Sequence, residues 1–152
     1  MDLRARLAVA SVISAISMGV ASAADISVIS STAMREVLEE LIPAFERGSG
    51  HKVAITFQSG VNVSARMREG AVADVVITAA LALDDLIKDG KVVAGSRVDF
   101  VGPLPSELQA VLVYVTGLPA TAKQPELAKA LVKFLTSEAA LPVFKKLGME
   151  PG

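Results

Sequence analysis

The sequence predicts an α/β fold, with a doubly wound, mostly parallel sheet and helices on both of its faces. Three segments with strand-like patterns alternate with three segments of helical periodicity between residues 25 and 90. The third strand, residues 73–78 (ADVVIT), is almost continuously apolar, which is typical of a parallel strand covered on both faces. Right-handed crossovers between such strands lead to the doubly wound arrangement.

The N-terminus has the order of features expected of a secretory signal. Arg4 and Arg6 form a positive n-region, residues 7–20 carry no charge, and Ala21-Ser22-Ala23 provides small residues at a cleavage site. The apolar stretch of about 14 residues is shorter than the roughly 20 that a membrane-spanning helix needs. We therefore expect residues 1–23 to be a cleaved signal peptide and the protein to be periplasmic.

The expected mature chain, residues 24–152, has the size of one ordinary domain. Its charges nearly balance, since the full sequence has 15 Lys and Arg against 16 Asp and Glu, and this balance predicts no nucleic-acid partner. The sequence has no cysteine and a single histidine, so neither disulfides nor a thiolate or histidine metal site are expected. No cofactor is predicted.

The first half of the mature chain supplies three strand–helix pairs. Strands are predicted over residues 25–30, 52–57 and 73–78, each with a short alternating or apolar pattern. The second and third helices are predicted over residues 61–69 and 81–88, and each is followed by glycine. The first helix carries an apolar stripe at helical spacing, formed by Met34, Val37, Leu38, Leu41, Ile42 and Phe45.

The pattern becomes less regular after the third helix. Residues 93–105 contain two glycines and two prolines, which predict a loop with one short strand at residues 98–101. Residues 109–116 (QAVLVYVT) have a clearer strand pattern. Two helical segments follow, over residues 125–136 and 138–147.

No arrangement of side chains predicts an enzyme, so no catalytic residue is assigned. Asp84 and Asp85 are adjacent carboxylates, but on a helix their side chains diverge by about 100°, which favours a solvated helix face over an acid/base pair. His51 is a single imidazole in a loop, without the positioned second group that acid/base catalysis requires.

Two polar turns are better candidates for a binding site. Ser31 and Thr32 follow the first predicted strand, and Ser59 and Gly60 follow the second. In a doubly wound sheet such turns meet at the carboxyl ends of the strands, where helix N-termini can hold an anion. The alternative is that these side chains only cap helices, with Ser31 or Thr32 capping the first and Ser59 or Asn62 the second.

Several stretches resemble the type II periplasmic solute-binding proteins of ABC transporters, particularly the molybdate-binding-like group. ADISVISSTAMREVLEELIPAFERGSGHKVAITFQSG and EGAVADVVITAALALDDLIKDGKV resemble the N-terminal half of these proteins. GPLPSELQ, AVLVYVTG, ELAKALVKFLTS and the closing LGMEPG resemble their C-terminal return to the first domain. The resemblance covers nearly all of the expected mature chain.

The resemblance implies a single lobe of the type II periplasmic-binding-protein fold that captures a small anion, with a molybdate-like oxyanion as the leading ligand. It also implies delivery of that anion to an ABC transporter permease. Ser31, Thr32 and Ser59 are then the ligand-binding residues that donate hydrogen bonds beside helix N-termini. Gly60 allows the ligand to approach closely.

The sequence departs from the family pattern in two places. Members of this family have two lobes, whereas here residues 24–98 run directly into the C-terminal return segment, residues 99–152, so the second lobe is missing. Ala33 stands where a ligand-binding serine is often found. We therefore expect weak capture. The alternative is a non-transporting periplasmic interaction module that self-associates, or binds another protein, through the cleft face that the second lobe normally covers.

Overall fold

The computed structural model describes residues 26–101 and 113–151. The predicted signal peptide, the end of the loop predicted over residues 93–105 and the beginning of the strand predicted at residue 109 lie outside these ranges. Between residues 26 and 88, strands and helices alternate as predicted, and the α/β class is confirmed. None of the helices in the described part of the chain is long and apolar enough to cross a membrane.

The described strands form one sheet. They are β1 (Ile26–Ser31), β2 (Val53–Gln58), β3 (Val75–Ala79), β4 (Val98–Val101), β5 (Val113–Gly117) and β6 (Glu150–Pro151). The strand order is β2-β1-β3-β5-β4-β6. β1 pairs in parallel with both β2 and β3, while β5 lies antiparallel to β3 and β4, and β6 lies antiparallel to β4. The strands β1 to β4 therefore share one direction, as expected for a mostly parallel sheet, and β5 and β6 oppose them.

The helices lie close to their predicted positions. They are α1 (Arg35–Ser49), α2 (Gly60–Arg68), α3 (Ala80–Lys88), α4 (Pro125–Leu135) and α5 (Leu141–Lys146). A short 3₁₀ turn, Thr32–Met34, precedes α1. The main differences from the sequence pattern are that the last helix is shorter than predicted and that β6 follows it. The predicted boundary between residues 98 and 99 falls inside β4.

Helices cover both faces of the sheet, which makes the fold doubly wound. On one face, α1, α4 and α5 pack over alternate side chains of β1 and β3. On the other face, α2 and α3 pack over the intervening side chains and Val115. The predicted apolar stripe of the first helix is buried at every position. Its residues are Met34, Val37, Leu38, Leu41, Ile42 and Phe45.

A buried carboxylate joins β1 to the segment before α4. Asp74, directly before β3, accepts hydrogen bonds at Oδ2 from the backbone N–H and the hydroxyl of Ser27, at 2.9 and 2.7 Å. Its Oδ1 accepts from the backbone N–H groups of Lys123 and Gln124, both at 2.7 Å. Asp74 therefore connects β1 and β3 to the start of α4.

Candidate functional site

The carboxyl ends of β1, β2 and β3 lie side by side and each leads into a helical turn. Ser31 ends β1 and is paired in register with Gln58, which ends β2. β3, on the other side of β1, ends at Ala79, and α3 begins at the next residue. The two turns predicted from the sequence are therefore neighbours at one edge of the sheet, the usual place for ligands in such folds.

Ser31 and Thr32 occupy different environments in the first turn. Ser31 is buried and extended, and its Oγ accepts a hydrogen bond from the backbone N–H of Ala33 at 3.4 Å. Thr32 is exposed and begins the 3₁₀ turn. Ser31 therefore caps this turn, as the capping alternative predicts. Its Oγ only accepts in this long hydrogen bond, so the hydroxyl proton remains free for another acceptor.

Ser59 and Gly60 form the second turn. Ser59 is exposed and caps α2, since its Oγ accepts from the backbone N–H of Asn62 at 3.4 Å. Gly60 is the first residue of α2 and has no left-handed backbone conformation. A Cβ added to Gly60 would lie 3.9 Å from Thr78 Oγ1, an ordinary contact distance. The protein itself therefore does not require glycine here, and a role for Gly60 in ligand approach stays a prediction.

A positive side chain stands next to these turns, and the sequence patterns did not identify it. Arg35, the first residue of α1, places its guanidinium carbon 4.2 Å from the centre of the Phe57 ring, near the end of β2. Its Nη1 also forms an exposed ion pair with Glu39 at 3.2 Å. Stacking on an aromatic face is a common environment for arginine. Arg35 adds positive charge to an edge that already carries helix N-termini.

Thr78 is a second residue at this site that the sequence pattern does not indicate. It is fully buried near the end of β3, and its Oγ1 has no hydrogen-bond partner within the described residues. It lines a groove of about 520 Å³ between α2 and α3, together with Gly60 and Val61. The sequence around Thr78 does not indicate this feature, because the lack of a hydrogen-bond partner for its hydroxyl depends on how the surrounding residues pack.

The other polar candidates do not converge on a site. Asp84 pairs with Arg97, and Asp85 pairs with Lys88, so the two neighbouring carboxylates serve different ion pairs. His51 is half-buried, in the connection between α1 and β2. Across residues 26–101 and 113–151, no group of three or more His, Cys, Asp or Glu side chains could hold a metal ion.

A second cavity, of about 470 Å³, lies beside α4. The loop before β4 lines one side of it, and Lys129, Val132 and Lys133 of α4 line the other. None of the ligand-binding residues predicted from the sequence lines this cavity. The start of β4 pairs with the end of β5, and the end of β5 pairs with the start of β3. The cavity therefore lies near the amino end of β3, whereas the polar turns lie at the carboxyl ends of the parallel strands.

Comparison with known proteins gives one family. The family model described as "Bacterial extracellular solute-binding protein" matches residues 26–102 and 94–150. No curated protein sequence matches the chain.

Several solved structures share the fold. The substrate-binding domain of a putative molybdenum ABC transporter from Clostridium difficile has a TM-score of 0.75 at 10% identity, with 85% of this chain and 99% of that chain covered. The periplasmic molybdate-binding protein of Azotobacter vinelandii has a TM-score of 0.77 at 12% identity, covering 84% and 99%. The sulfate-binding protein of Mycobacterium tuberculosis has a TM-score of 0.65 at 14% identity, covering 84% and 87%.

Proposed function

The chain belongs to the family of bacterial extracellular solute-binding proteins, and from this premise we propose that it is the periplasmic solute-binding component of an ABC importer. Its ligand is a small anion, with a molybdate-like oxyanion as the leading candidate, which it delivers to a membrane permease. The molybdate- and sulfate-binding proteins that share its fold support this ligand class. The family also supports a binding role over a catalytic one.

The observation that carries this proposal is the pairing of two helical N-termini at one edge of the sheet. The turns at Ser31 and Ser59 are adjacent because Ser31 and Gln58 are in register. Backbone N–H groups at such turns, together with the positive end of the helix dipole, attract anions without a lysine or arginine in contact. Ser31, Thr32 and Ser59 then donate hydrogen bonds to the anion, and Gly60 lets it approach the start of α2.

A melting screen of the purified chain tests this function. We expect molybdate or a related oxyanion, at millimolar concentration, to raise the melting temperature, because a ligand that binds only the folded state stabilises it by mass action. Tungstate, sulfate and phosphate complete the series. If none of these anions changes the melting temperature, the proposal of anion capture is wrong.

Ser59→Ala is the informative variant in that screen. It removes the hydroxyl that faces the expected anion and should reduce the anion-induced shift. Ser49→Ala is the matched control, since Ser49 also accepts a backbone hydrogen bond at a helix end, from the N–H of His51 at 3.2 Å, but lies at the end of α1. Because both variants lose a local hydrogen bond, the shift on adding anion, and not the melting temperature itself, is the quantity to compare.

A second function, a non-transporting interaction module, is favoured by a different observation. Val61 and Leu81 are each 81% exposed, and they lie in the first turns of α2 and α3 at the same edge of the sheet. Exposed apolar side chains grouped in this way are typical of association surfaces. Sedimentation of the wild type and of a Val61→Ser, Leu81→Ser double variant would separate the two functions. A dimer that the double variant abolishes, without any effect of anions, would favour the interaction module.

A further inference from the structure

The groove between α2 and α3 contains a buried hydroxyl that lacks a partner. Thr78 is fully buried, and its Oγ1 makes no hydrogen bond to any other described residue. Leaving a buried hydroxyl unpaired is unfavourable, and the cost is removed when an acceptor is brought to it. The main chain of Gly60 lies beside this oxygen, since a Cβ added at that position would be 3.9 Å from it. Because Thr78 also lines the groove, a ligand atom seated beside Gly60 lies against the residue that carries this hydroxyl.

The start of α3 provides further donors at the same place. α3 has nine residues, and Ala79, the residue before it, makes no side-chain capping bond. The first N–H groups of a helix have no partner within the helix, and the positive end of the dipole favours a negative group beside them. By contrast, α2 is capped by Ser59. Thr78 and the first turn of α3 thus form a donor cluster suited to an anionic group.

The walls of the groove are mainly apolar. Val61 of α2 and Leu81 of α3 are both strongly exposed, and Ala65 and Ala82 lie further along the two helices. The charged side chains that also line the groove are already paired, Arg68 with Asp89 and Asp85 with Lys88. A volume of about 520 Å³ lies within the usual range of small-molecule pockets. These walls suit an aliphatic body better than a bare inorganic oxyanion.

We propose that the α2–α3 groove is a second ligand site, which binds short aliphatic carboxylates. The carboxylate accepts hydrogen bonds from Thr78 Oγ1 and from the first N–H groups of α3. The aliphatic chain lies between Val61 and Leu81 and removes part of their surface from water. This site shares only Gly60 with the turns at Ser31 and Ser59, so it does not depend on the function proposed for them.

The site is tested by calorimetric titration with acetate, butyrate, hexanoate and octanoate, all at the same ionic strength. We expect affinity to increase along the series by up to about fourfold per buried methylene, until the groove is filled. Thr78→Val replaces the hydroxyl with a methyl group of similar size and should weaken hexanoate binding about tenfold or more. Equal binding of hexanoate by the wild type and Thr78→Val, or no binding by the wild type, would overturn the proposal.

Thr116→Val is the matched control. Thr116 on β5 is equally buried and its Oγ1 also has no partner within the described residues, but it does not line the groove. Its side chain lies on the opposite face of the sheet from Val115, which packs in the cluster beneath α2 and α3. Thr116→Val should therefore bind hexanoate like the wild type. If both threonine variants lose binding equally, the effect of Thr78 is not local and the proposal fails.

Two more variants complete the test. Gly60→Ala should fold, since the added methyl group makes only an ordinary contact, and it should weaken hexanoate binding by filling the space above Thr78 Oγ1. Thr78→Ser keeps the hydroxyl and should retain binding, so it decides the question if Thr78→Val does not fold. Ser59→Ala should leave hexanoate binding unchanged while reducing any oxyanion effect. Failure of the carboxylate site is thereby distinguished from failure of the proposed anion capture.

Discussion

At the scale of single residues, local and long-range contacts differ in how far the sequence predicts them. The capping contacts of Ser31 and Ser59 span two or three residues, so the type of residue at the end of a strand was enough to suggest them. Asp74 bonds to residues 47 to 50 positions away, and no local pattern indicates such partners. The unpartnered hydroxyl of Thr78 is likewise a result of packing, and the sequence contains no signal for it.

The protonation of Asp74 follows from these contacts. Burial alone would raise the pKa of Asp74, but the hydrogen bonds from Ser27, Gln124 and Lys123 outweigh burial and hold this pKa below its usual value. The ionised form is therefore favoured in the folded protein. The stabilisation is complete above the pKa that Asp has in the unfolded chain and is lost as the pH falls towards the lower, folded value.

Asp74→Asn should destabilise the protein. The amide replaces one acceptor oxygen with an NH₂ group, so at least two donors in part-buried hydrogen bonds lose their partner, at a cost of about 2–4 kcal/mol near neutral pH. The difference in unfolding free energy between wild type and variant should shrink as the pH is lowered from about 5 to 3. Urea denaturation across this range measures it. Asp89→Asn, which breaks an exposed pair with Arg68, is the control and should cost less than about 1 kcal/mol. A difference that does not change with pH would contradict this account.

At the scale of helices and strands, apolar periodicity was the reliable signal. The stripe of α1 is buried throughout, and the helix continues through Pro43, so the packing of that stripe outweighs the loss of one backbone donor. The parallel pairing of β1 with β2 and β3 follows from alternation with helices. The antiparallel direction of β5 does not follow from that alternation, and β6 has only two residues, too few for a pattern.

Leu38 tests the register of α1. Its side chain is 1% exposed, so Leu38→Ala should lower the free energy of unfolding by about 2–5 kcal/mol through lost burial and a residual cavity. Glu39 is the neighbouring control, because it is exposed and forms an exposed ion pair with Arg35. Glu39→Ala should change stability by about 0.5 kcal/mol or less. Denaturation curves with the reverse order of effects would mean that the helix presents a different face to the sheet.

Two glycines at the end of α1 should respond in opposite directions to the same substitution. A methyl group added to Gly48 or Gly50 would meet no atom within 4 Å, so contacts do not decide the outcome. Gly50 has a left-handed φ of 76°, and Gly50→Ala should cost about 1 kcal/mol. Gly48 lies in the helix without this conformation, and Gly48→Ala should stabilise by about 0.5–1 kcal/mol. Thermal melting of both variants measures the difference, and a shift of the same sign in both would contradict the explanation.

At the scale of the whole molecule, the sequence pattern predicts export, a single lobe and an anion-binding edge. The family places the chain among extracellular solute-binding proteins. The described residues form one sheet with helices on both faces, and both predicted turns lie at one edge of it. The identity of the ligand could not be derived in this way, because helix N-termini attract anions of many kinds.

Export is tested with a reporter that is active only in the periplasm. Fused to residues 1–25, the reporter should be secreted, since positive charge, apolar length and small residues occur in the order of a signal peptide. N-terminal sequencing of the secreted product should begin at Ala24-Asp25. Replacing Ala21 and Ala23 with bulky residues is the control and should block cleavage. A secreted product that still carries Met1 would show that the signal is not removed.

We expect weak anion binding, because the sequence pattern predicts a single lobe, without a second lobe to close over the two turns. Thr32 and Ser59 are exposed, so each helix N-terminus contributes only about 0.3–1 kcal/mol, and each hydrogen bond to the anion about 1 kcal/mol. A total of about 4 kcal/mol corresponds to a dissociation constant near millimolar. Calorimetry with molybdate at two ionic strengths should show this constant and a further loss of affinity in salt. Submicromolar binding by a monomer, established by sedimentation, would mean that one lobe encloses the anion without a partner.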